Sequence, residues 1–225
     1  MCGRFALYAD YKVILERFGI EQASFDENEY EPSYNIAPSQ LIAAVVSDGN
    51  KNRLGKLKWG LIPPWAKDAK IGYKMINARA ETAAEKPSFR NAFKKKRCLI
   101  IADSFYEWRK DEEGKTPMLI KMKSEEPFAF AGLWESWESP EGEPIHSCSI
   151  LTTKPNGVMA SIHDRMPVIL SKEAEKIWLD PNVQDIEMLE SVLKPYEDGE
   201  MEAYQVSEEV NSPKNNKADL IRKIS

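Results

Sequence analysis

The sequence predicts an α+β fold in a single domain, with mixed or antiparallel sheets curled toward a barrel and helices at the periphery. Three observations support this prediction. The chain has 225 residues, of which 42% are hydrophobic, and this is enough for one substantial core. No internal repeat and no flexible linker divides residues 1–225 into smaller units. From residue 98 onward, short apolar runs separated by turn residues follow one another, as in a series of strands.

The first half of the chain alternates strand and helix patterns. Asp10 can cap a helix and Gly19 can end it, while the apolar residues around Phe93 recur at helical spacing. In chain order, we predict a strand at 5–8, a helix between Asp10 and Gly19, an acidic loop, a hairpin of 41–46 with 54–59, an irregular loop from 63 to 79 and a helix within 87–96.

The second half is richer in strands. Ser171 can start a helix that places Trp178 inward, and Pro181 ends it. We predict strands at 99–102, 105–109, 118–122, 128–133, 145–152, 168–170 and 203–206, a turn at 112–114, helices at 171–180 and 183–193, and a polar tail from residue 211.

Composition excludes several classes of protein. No apolar run is long enough to span a bilayer and no signal sequence begins the chain, so we expect a cytoplasmic protein. The cysteines Cys2, Cys98 and Cys148 lack CxxC spacing, which argues against a disulfide framework and a zinc site. Cys98 and Cys148 lie in apolar runs typical of a core. A net charge of −5 does not favour nucleic acid, although a local basic groove remains open.

The chain begins Met1-Cys2-Gly3-Arg4-Phe5. Aminopeptidases remove the initiator methionine before a small residue, which would leave Cys2 with a free α-amine beside its thiol. The amine can attack an aldehyde, and the thiol can then close a thiazolidine ring on the same carbon. Their ordinary pKa values are about 7.7–8.0 and about 8.5, and we expect the charge of Arg4 to lower the pKa of the thiol further. The alternative is an ordinary start codon followed by a small buried cysteine.

Two further side chains are candidates for acid–base chemistry. His163 lies beside an acid and an arginine just before a strand, which suits proton transfer. Glu107 lies between aromatic residues, and burial there would raise its pKa toward neutrality. Each has a simpler explanation: an exposed histidine without a role, and a glutamate on the wet face of an edge strand.

A third group is suited to binding. Asn77 offers an amide for an amine or a sugar oxygen, and Arg79 suits phosphate. Trp65 follows two prolines and can stack on a base or cover the core. A turn asparagine and a surface ion pair of Arg79 with Glu81 are the alternatives.

Five segments, in order, resemble the motifs of the SOS-response-associated peptidase (SRAP) family, and the resemblance runs from residue 2 to about residue 207. Two departures occur. The segment 66–76 is longer and more basic than the family pattern, and Ala66 stands where a second aromatic residue is common. The matching segments are 1–5 (MCGRF), 34–38 (YNIAP), 76–82 (INARAET), 105–108 (FYEW) and 162–167 (IHDRMP).

The resemblance implies roles for nine residues and requires neither a metal nor a cofactor. The implied catalytic residues are Cys2 as nucleophile, Asn77 beside the amine, Glu107 as acid/base group and His163 as the residue that helps to open the sugar ring. The implied DNA-binding residues are Arg4, Arg79 and Arg165 at phosphates, with Pro38 and Trp65 at the edge of the DNA channel.

The resemblance further implies a DNA-damage enzyme that binds single-stranded DNA and caps abasic sites through a covalent cross-link. It implies a monomer that lies at the nucleoid when DNA is bound, with a partner in the replication machinery as a further expectation. Two other functions stay open. One is a thiol peptidase that removes its own first residue, and the other is a non-catalytic reader of modified bases.

Overall fold

The computed structural model describes residues 2–112 and 114–224, and it confirms the predicted α+β class. The helices are α1 Tyr11–Arg17, α2 Ala80–Ala83, α3 Arg90–Lys95, α4 Gly157–Ala160, α5 Lys172–Leu179 and α6 Ile186–Ser191. The strands are β1 Phe5–Leu7, β2 Ile20–Ala23, β3 Ser33–Ile36, β4 Leu41–Ser47, β5 Asn52–Trp59, β6 Asn77–Arg79, β7 Arg97–Ala102, β8 Ser104–Asp111, β9 Gly114–Met122, β10 Phe128–Glu138, β11 Pro144–Thr153, β12 Met166–Pro167, β13 Ile169–Leu170 and β14 Met201–Gln205.

Five strands close into a barrel in the order β11-β10-β7-β4-β5, and β5 then pairs with β11. Every neighbouring pair is antiparallel except the closing one, where Trp59 lies opposite Cys148 in parallel register. An odd number of strands cannot alternate in direction around a closed ring, so one pair must be parallel. All six residues of β7 are buried, which explains its continuous apolar run. The predicted curling toward a barrel is confirmed.

A second sheet, in the order β14-β9-β8-β1-β3, packs against the barrel. Phe5 joins the two, because its fully buried ring lies 5.3 Å from the Trp59 ring and 5.8 Å from the Phe130 ring. In the sheet, Phe5 also pairs with Phe105 of β8 and Ile36 of β3. The first strand of the chain is therefore held at the centre of the molecule, and this fixes where Cys2 lies.

The helices α1 and α5 form where the sequence predicts them, although Asp10 precedes α1 without a side-chain capping hydrogen bond. The Ser171 hydroxyl accepts a hydrogen bond from the Ala174 amide and starts α5, in which Trp178 is fully buried. Gly19 adopts a φ of +56° after α1, a conformation that favours glycine. Val13 is 44% exposed, because the buried side of this short helix is formed by Tyr11 and Ile14.

Four predictions were wrong in part. The irregular loop expected at 63–79 contains a 3₁₀ segment, Ala69–Lys74, and ends in the strand β6. The helix expected at 183–193 covers only Ile186–Ser191, because Asp185 caps it by accepting from the Met188 amide. The acidic loop contains the strands β2 and β3, since backbone pairing there needs few apolar side chains. The tail after residue 211 is not simply polar, because Leu220 is fully buried against the second sheet. In the predicted turn at 112–114, Glu113 lies outside the described residues.

Cys98 and Cys148 are buried free thiols in the core, as predicted. Among the residues that the structure describes, no helix is both long enough and apolar enough to cross a membrane.

Candidate functional site

The N-terminal segment is fixed beside β8 and β6. The Tyr106 amide donates to the Arg4 carbonyl over 2.9 Å, which extends the pairing of β1 with β8 toward Cys2. The Asn77 side chain then donates from Nδ2 to the Cys2 carbonyl over 2.8 Å. Asn77 begins β6, which runs parallel to β11 and places Asn77 opposite Ile150. Two separate parts of the fold therefore converge on Cys2.

The side-chain oxygen of Asn77 is available. Its Oδ1 atom is buried and has no hydrogen-bond partner within 2–112 and 114–224. A buried amide oxygen without a donor is costly, so the site favours a ligand that supplies one. An amine or a hydroxyl next to Cys2 would satisfy it, and this agrees with the role expected for Asn77 beside the α-amine.

Glu107 lies on β8 and is only 3% exposed, so its side chain faces inward rather than toward solvent. Burial raises the pKa of Glu107. The explanation that placed Glu107 on a wet face is therefore wrong. A carboxyl group with a raised pKa can both take and return a proton near neutral pH.

His163 follows α4 and shares a cleft with Glu107. Its Nδ1 atom lies 3.1 Å from the Arg165 amide and 2.8 Å from the Asp164 carboxylate. These contacts belong to different protonation states, because a neutral Nδ1 accepts from an amide and a protonated Nδ1 donates to a carboxylate. In the neutral state the proton lies on Nε2. The ring thus has a partner for Nδ1 both with and without the second proton.

The site cleft has a volume of about 360 Å³. Its lining residues are Glu107, Trp108, Lys110, Lys115, His163 and Asn211. Two larger clefts, of about 580 and 560 Å³, adjoin the ion pair of Arg17 with Glu175 and contain none of the nine predicted site residues. Cleft size alone therefore does not single out the site. Glu107 and His163 line this cleft, whereas Cys2 and Asn77 lie outside its lining, and Cys2 is linked to it through the charge of Glu107.

The Cys2 thiol corrects one expectation. Burial raises its pKa well above the ordinary thiol value, and the charge of Glu107 raises it further. The Arg4 backbone amide lowers it only in part, so the expected net lowering by Arg4 is wrong. In the chain that carries Met1, Cys2 is fully buried, and the thiol is therefore held in its neutral form.

The three arginines occupy different environments. Arg4 donates from Nη1 to the Asn35 side chain over 2.7 Å and also to the Val210 carbonyl. Arg165 forms a two-pronged pair with Glu81, at 2.7 and 2.9 Å. The ion pair considered for Arg79 with Glu81 is thus formed by Arg165 instead, and Arg79 is exposed at the end of β6.

The two residues expected at the edge of a DNA channel lie on the surface. Pro38 is half-buried directly after β3. Trp65 is 58% exposed in the loop that leads to β6. Its position is stable, because the neighbouring Ala66 carbonyl accepts a hydrogen bond from the Trp137 ring nitrogen over 2.7 Å. Trp65 therefore does not cover the core, and its ring face is available to a ligand.

Sequence reasoning missed two residues that shape the site. Trp108 lines the cleft and donates from its ring nitrogen to Asn211 over 2.7 Å. Asn35 is 2% exposed and holds both Arg4 and the Ser212 carbonyl. Trp108 and Asn35 lie inside the matching motifs, so membership of a motif could have identified both as site residues. Asn211 lies in the polar tail, where no pattern distinguished it.

Comparisons with known proteins agree with this geometry. The family profile described as "SOS response associated peptidase (SRAP)" matches residues 1–213. The abasic site processing protein YoqW of Bacillus subtilis strain 168 is 61% identical over 98% of this chain and 99% of its own length. The abasic site processing protein HMCES of Xenopus tropicalis is 32% identical over 88% of this chain and 68% of its own length.

A crystal structure of a protein from Bacteroides thetaiotaomicron has the same fold, with a TM-score of 0.89 and 29% identity over 100% of both chains. A second crystal structure, from Bordetella bronchiseptica, covers 92% of this chain and 100% of its own length, with a TM-score of 0.78 and 26% identity. Because the family profile spans residues 1–213, the chain belongs to the SRAP family.

Proposed function

We propose that this protein senses abasic sites in single-stranded DNA and forms a covalent cross-link to them through Cys2 once Met1 has been removed. One observation carries the proposal: the buried Cys2, next in sequence to the initiator, accepts a hydrogen bond from the Asn77 amide and feels the charge of Glu107, a carboxyl group of raised pKa that shares a cleft with His163. The relatives are named abasic site processing proteins, and this supports the abasic site as the lesion that is bound.

The reaction begins at the sugar. An abasic sugar is mostly a closed hemiacetal, and opening it requires a proton on the ring oxygen. His163 supplies that proton as the bond between C1 and the ring oxygen breaks, and the C1 hydroxyl gives its own proton to water. The histidine is partly exposed in the site cleft, where an incoming sugar can reach it. The product of this step is a free aldehyde beside Cys2.

The cross-link then forms in two steps. Glu107 takes a proton from the Cys2 ammonium, and the free amine attacks the aldehyde carbon with loss of one water molecule. The thiol next adds to the imine carbon and its proton passes to the imine nitrogen, which closes the thiazolidine ring. Imine formation comes first and ring closure second, because the thiol adds to the carbon of the imine. Asn77 Oδ1 holds the amine meanwhile.

DNA binding involves groups around this centre. Arg4, Arg79 and Arg165 contact phosphates, while Pro38 and Trp65 form the edge of the channel. An imine intermediate also permits elimination at the sugar, so weak strand cleavage accompanies cross-link formation. The cross-link is reversed when Glu107 returns a proton. We expect a cytoplasmic monomer that lies at the nucleoid with its DNA; a replication partner stays a prediction.

The peptidase alternative has less support. Removal of Met1 by Cys2 would require the thiol to attack the peptide bond that precedes its own residue, and the buried neutral thiol is poorly suited to that attack. We therefore assign Met1 removal to an aminopeptidase. A non-catalytic base reader would bind DNA equally well without Cys2.

A denaturing gel tests the proposal. The purified protein is incubated with single-stranded oligonucleotides that are identical except for one abasic site. We expect a slow-migrating adduct only with the abasic strand, its loss in Cys2→Ala and its retention in Cys98→Ala, which removes a buried thiol elsewhere. A full yield of adduct from Cys2→Ala would refute the thiol mechanism, and the absence of any adduct from the wild type would favour the base reader.

A further inference from the structure

The most exposed large apolar side chain near the site has no role in the chemistry above. Tyr73 is 66% exposed, and it lies in a 3₁₀ segment, Ala69–Lys74, of the loop that leads into Asn77. Exposing a tyrosine to this extent leaves its ring face open to solvent. Because four residues separate them, the Cα atoms of Tyr73 and Asn77 lie at most about 14 Å apart.

The loop presents Tyr73 on a firm support. Gly60 and Gly72 cross so closely that a Cβ atom on Gly60 would lie 2.7 Å from the Gly72 carbonyl oxygen. The Leu61 amide donates to the Met75 carbonyl over 3.1 Å, and the Trp59 ring nitrogen donates to the Ile76 carbonyl over 2.9 Å. Both ends of the loop are therefore fixed to the barrel, and little entropy is lost when a ligand binds there.

Four lysines lie on the loop that carries the tyrosine or on the end of β5 that precedes this loop. None of them forms an ion pair within the part of the chain that the structure describes. Asp68 is the one acidic residue among residues 55–76, and its side chain caps the 3₁₀ segment by accepting from the Lys70 amide. The lysine patch consists of Lys58, Lys67, Lys70 and Lys74.

The patch is continuous with the edge of the proposed channel. Tyr73, Lys70, Lys58 and Ser39 line one small hollow of about 70 Å³, and Ser39 directly follows Pro38. The Ser39 amide donates to the Trp59 carbonyl over 2.8 Å, which holds the residues after β3 against the same strand that begins the loop. One strand of DNA that passes Pro38 can therefore reach Tyr73.

We propose that Tyr73 and the lysine patch bind the single-stranded DNA that flanks the abasic site on one side, with a base stacked on the Tyr73 ring and phosphates on the lysines. The inference rests on the proposed function. Its physical basis is that an exposed ring stacks on any base, and that unpaired lysines bind phosphates with a strong dependence on salt. In a chain with a net charge of −5, such a surface favours a polyanion over other partners.

Binding of intact single-stranded DNA, followed by fluorescence anisotropy across a salt series, tests the inference. Tyr73→Ala should weaken binding about 5- to 150-fold, because this is the loss of affinity expected when one base no longer stacks on an aromatic ring. The double variant Lys70→Ala/Lys74→Ala should make the slope of log K against log salt shallower by about 1.4, which is two phosphate contacts on a single strand. The matched controls Met188→Ala and Lys194→Ala remove an exposed apolar residue and a lysine on or next to α6 and should change neither quantity.

Two one-sided substrates sharpen the test. One oligonucleotide carries the abasic site at its 5′ end and the other at its 3′ end, so the flanking strand extends in one direction only. At low DNA concentration, Tyr73→Ala should slow cross-linking with one of these substrates and should not change the rate with the other. At saturating DNA concentration, the variant should cross-link both substrates at the wild-type rate.

The outcomes separate the two proposals. Unchanged affinity and salt slope in both loop variants would overturn this inference, even when the wild type cross-links normally. A wild type that binds single strands through Tyr73 but never forms an adduct would support the binding surface and refute the cross-linking function.

Discussion

At the scale of single residues, Glu107 combines two properties that oppose each other. Its burial makes it a useful proton carrier, because the pKa of the carboxyl group is raised. The same burial penalises the charged form in the folded protein. The site therefore reduces the stability of the fold at the pH where the glutamate is ionised, which is a common cost of functional groups in a core.

This cost gives a pH-dependent prediction. Because the folded-state pKa is raised, the folded protein retains the proton of Glu107 after the unfolded chain has lost it. The stability that this proton contributes is complete below the ordinary glutamate pKa of about 4.3 and is lost as the pH rises through the folded-state pKa. Glu107→Gln cannot ionise, so its melting temperature relative to wild type should be higher at pH 8 than at pH 4.

Thermal unfolding at the two pH values measures this difference. The exposed Glu138→Gln is the control and should show little change with pH relative to wild type. If wild type and Glu107→Gln lost the same stability between pH 4 and pH 8, burial of a charge at Glu107 would be ruled out as a determinant of stability.

His163 leads to a kinetic prediction. His163→Ala should slow cross-linking by about 10²–10⁴-fold, because the proton for sugar opening must then come from water. The final yield should match the wild type, since Cys2 is intact. Time courses on a denaturing gel separate rate from yield. His146→Ala is the matched control: the only other histidine is exposed and contacts Trp134, and its loss should leave the rate unchanged. A low plateau in His163→Ala would point to damage of the fold instead.

At the scale of elements, the C-terminal segment is the part whose role the sequence concealed. It crosses the second sheet and buries Val210 and Leu220 against Tyr106. Asn35 fixes it by donating to the Ser212 and Asn215 carbonyls at 2.9 and 2.8 Å. The segment thereby supports Arg4 and places Asn211 in the wall of the site cleft, so we treat it as part of the site.

Leu220→Ala tests that support. The side chain is fully buried, so its truncation should lower the free energy of unfolding by about 2–5 kcal/mol. Ile224→Ala, four residues further on and 41% exposed, should cost less than about 1 kcal/mol. Chemical denaturation measures both. Equal, small effects would mean that the segment is only loosely attached to the second sheet.

At the scale of the whole molecule, barrel strands such as β7 and β10 could be predicted because they contain short apolar runs next to turn residues. The parallel closure of β5 on β11 could not, because it joins residues that are distant in sequence and has no local pattern. The motifs likewise identified Cys2 and Glu107 as candidates, because motifs are local in sequence. That the two residues lie close together could be seen only in the fold. The attachment of Asn211 had no signal at all.

The charge of the molecule gives a prediction about DNA. If Arg4, Arg79 and Arg165 contact phosphates, the slope of log K against log salt for single strands should be at least about −2 in spite of the acidic pI, since each contact contributes about −0.7. Single strands should bind more tightly than duplex, because unpairing costs a few kcal/mol that a recessed cysteine cannot recover. Salt-insensitive, equal binding to intact duplex would indicate a different ligand. Anisotropy titrations at several salt concentrations measure both properties.

The most direct test of the central claim is peptide mass spectrometry of the digested adduct. We predict that the DNA remnant is attached to the peptide that begins with Cys2 and lacks Met1, with the loss of one water molecule. The link should survive without a reducing agent, and the Cys2 thiol in it should resist alkylation, because its sulfur is part of the ring. A remnant on a lysine, or on a peptide that retains Met1, would contradict the account.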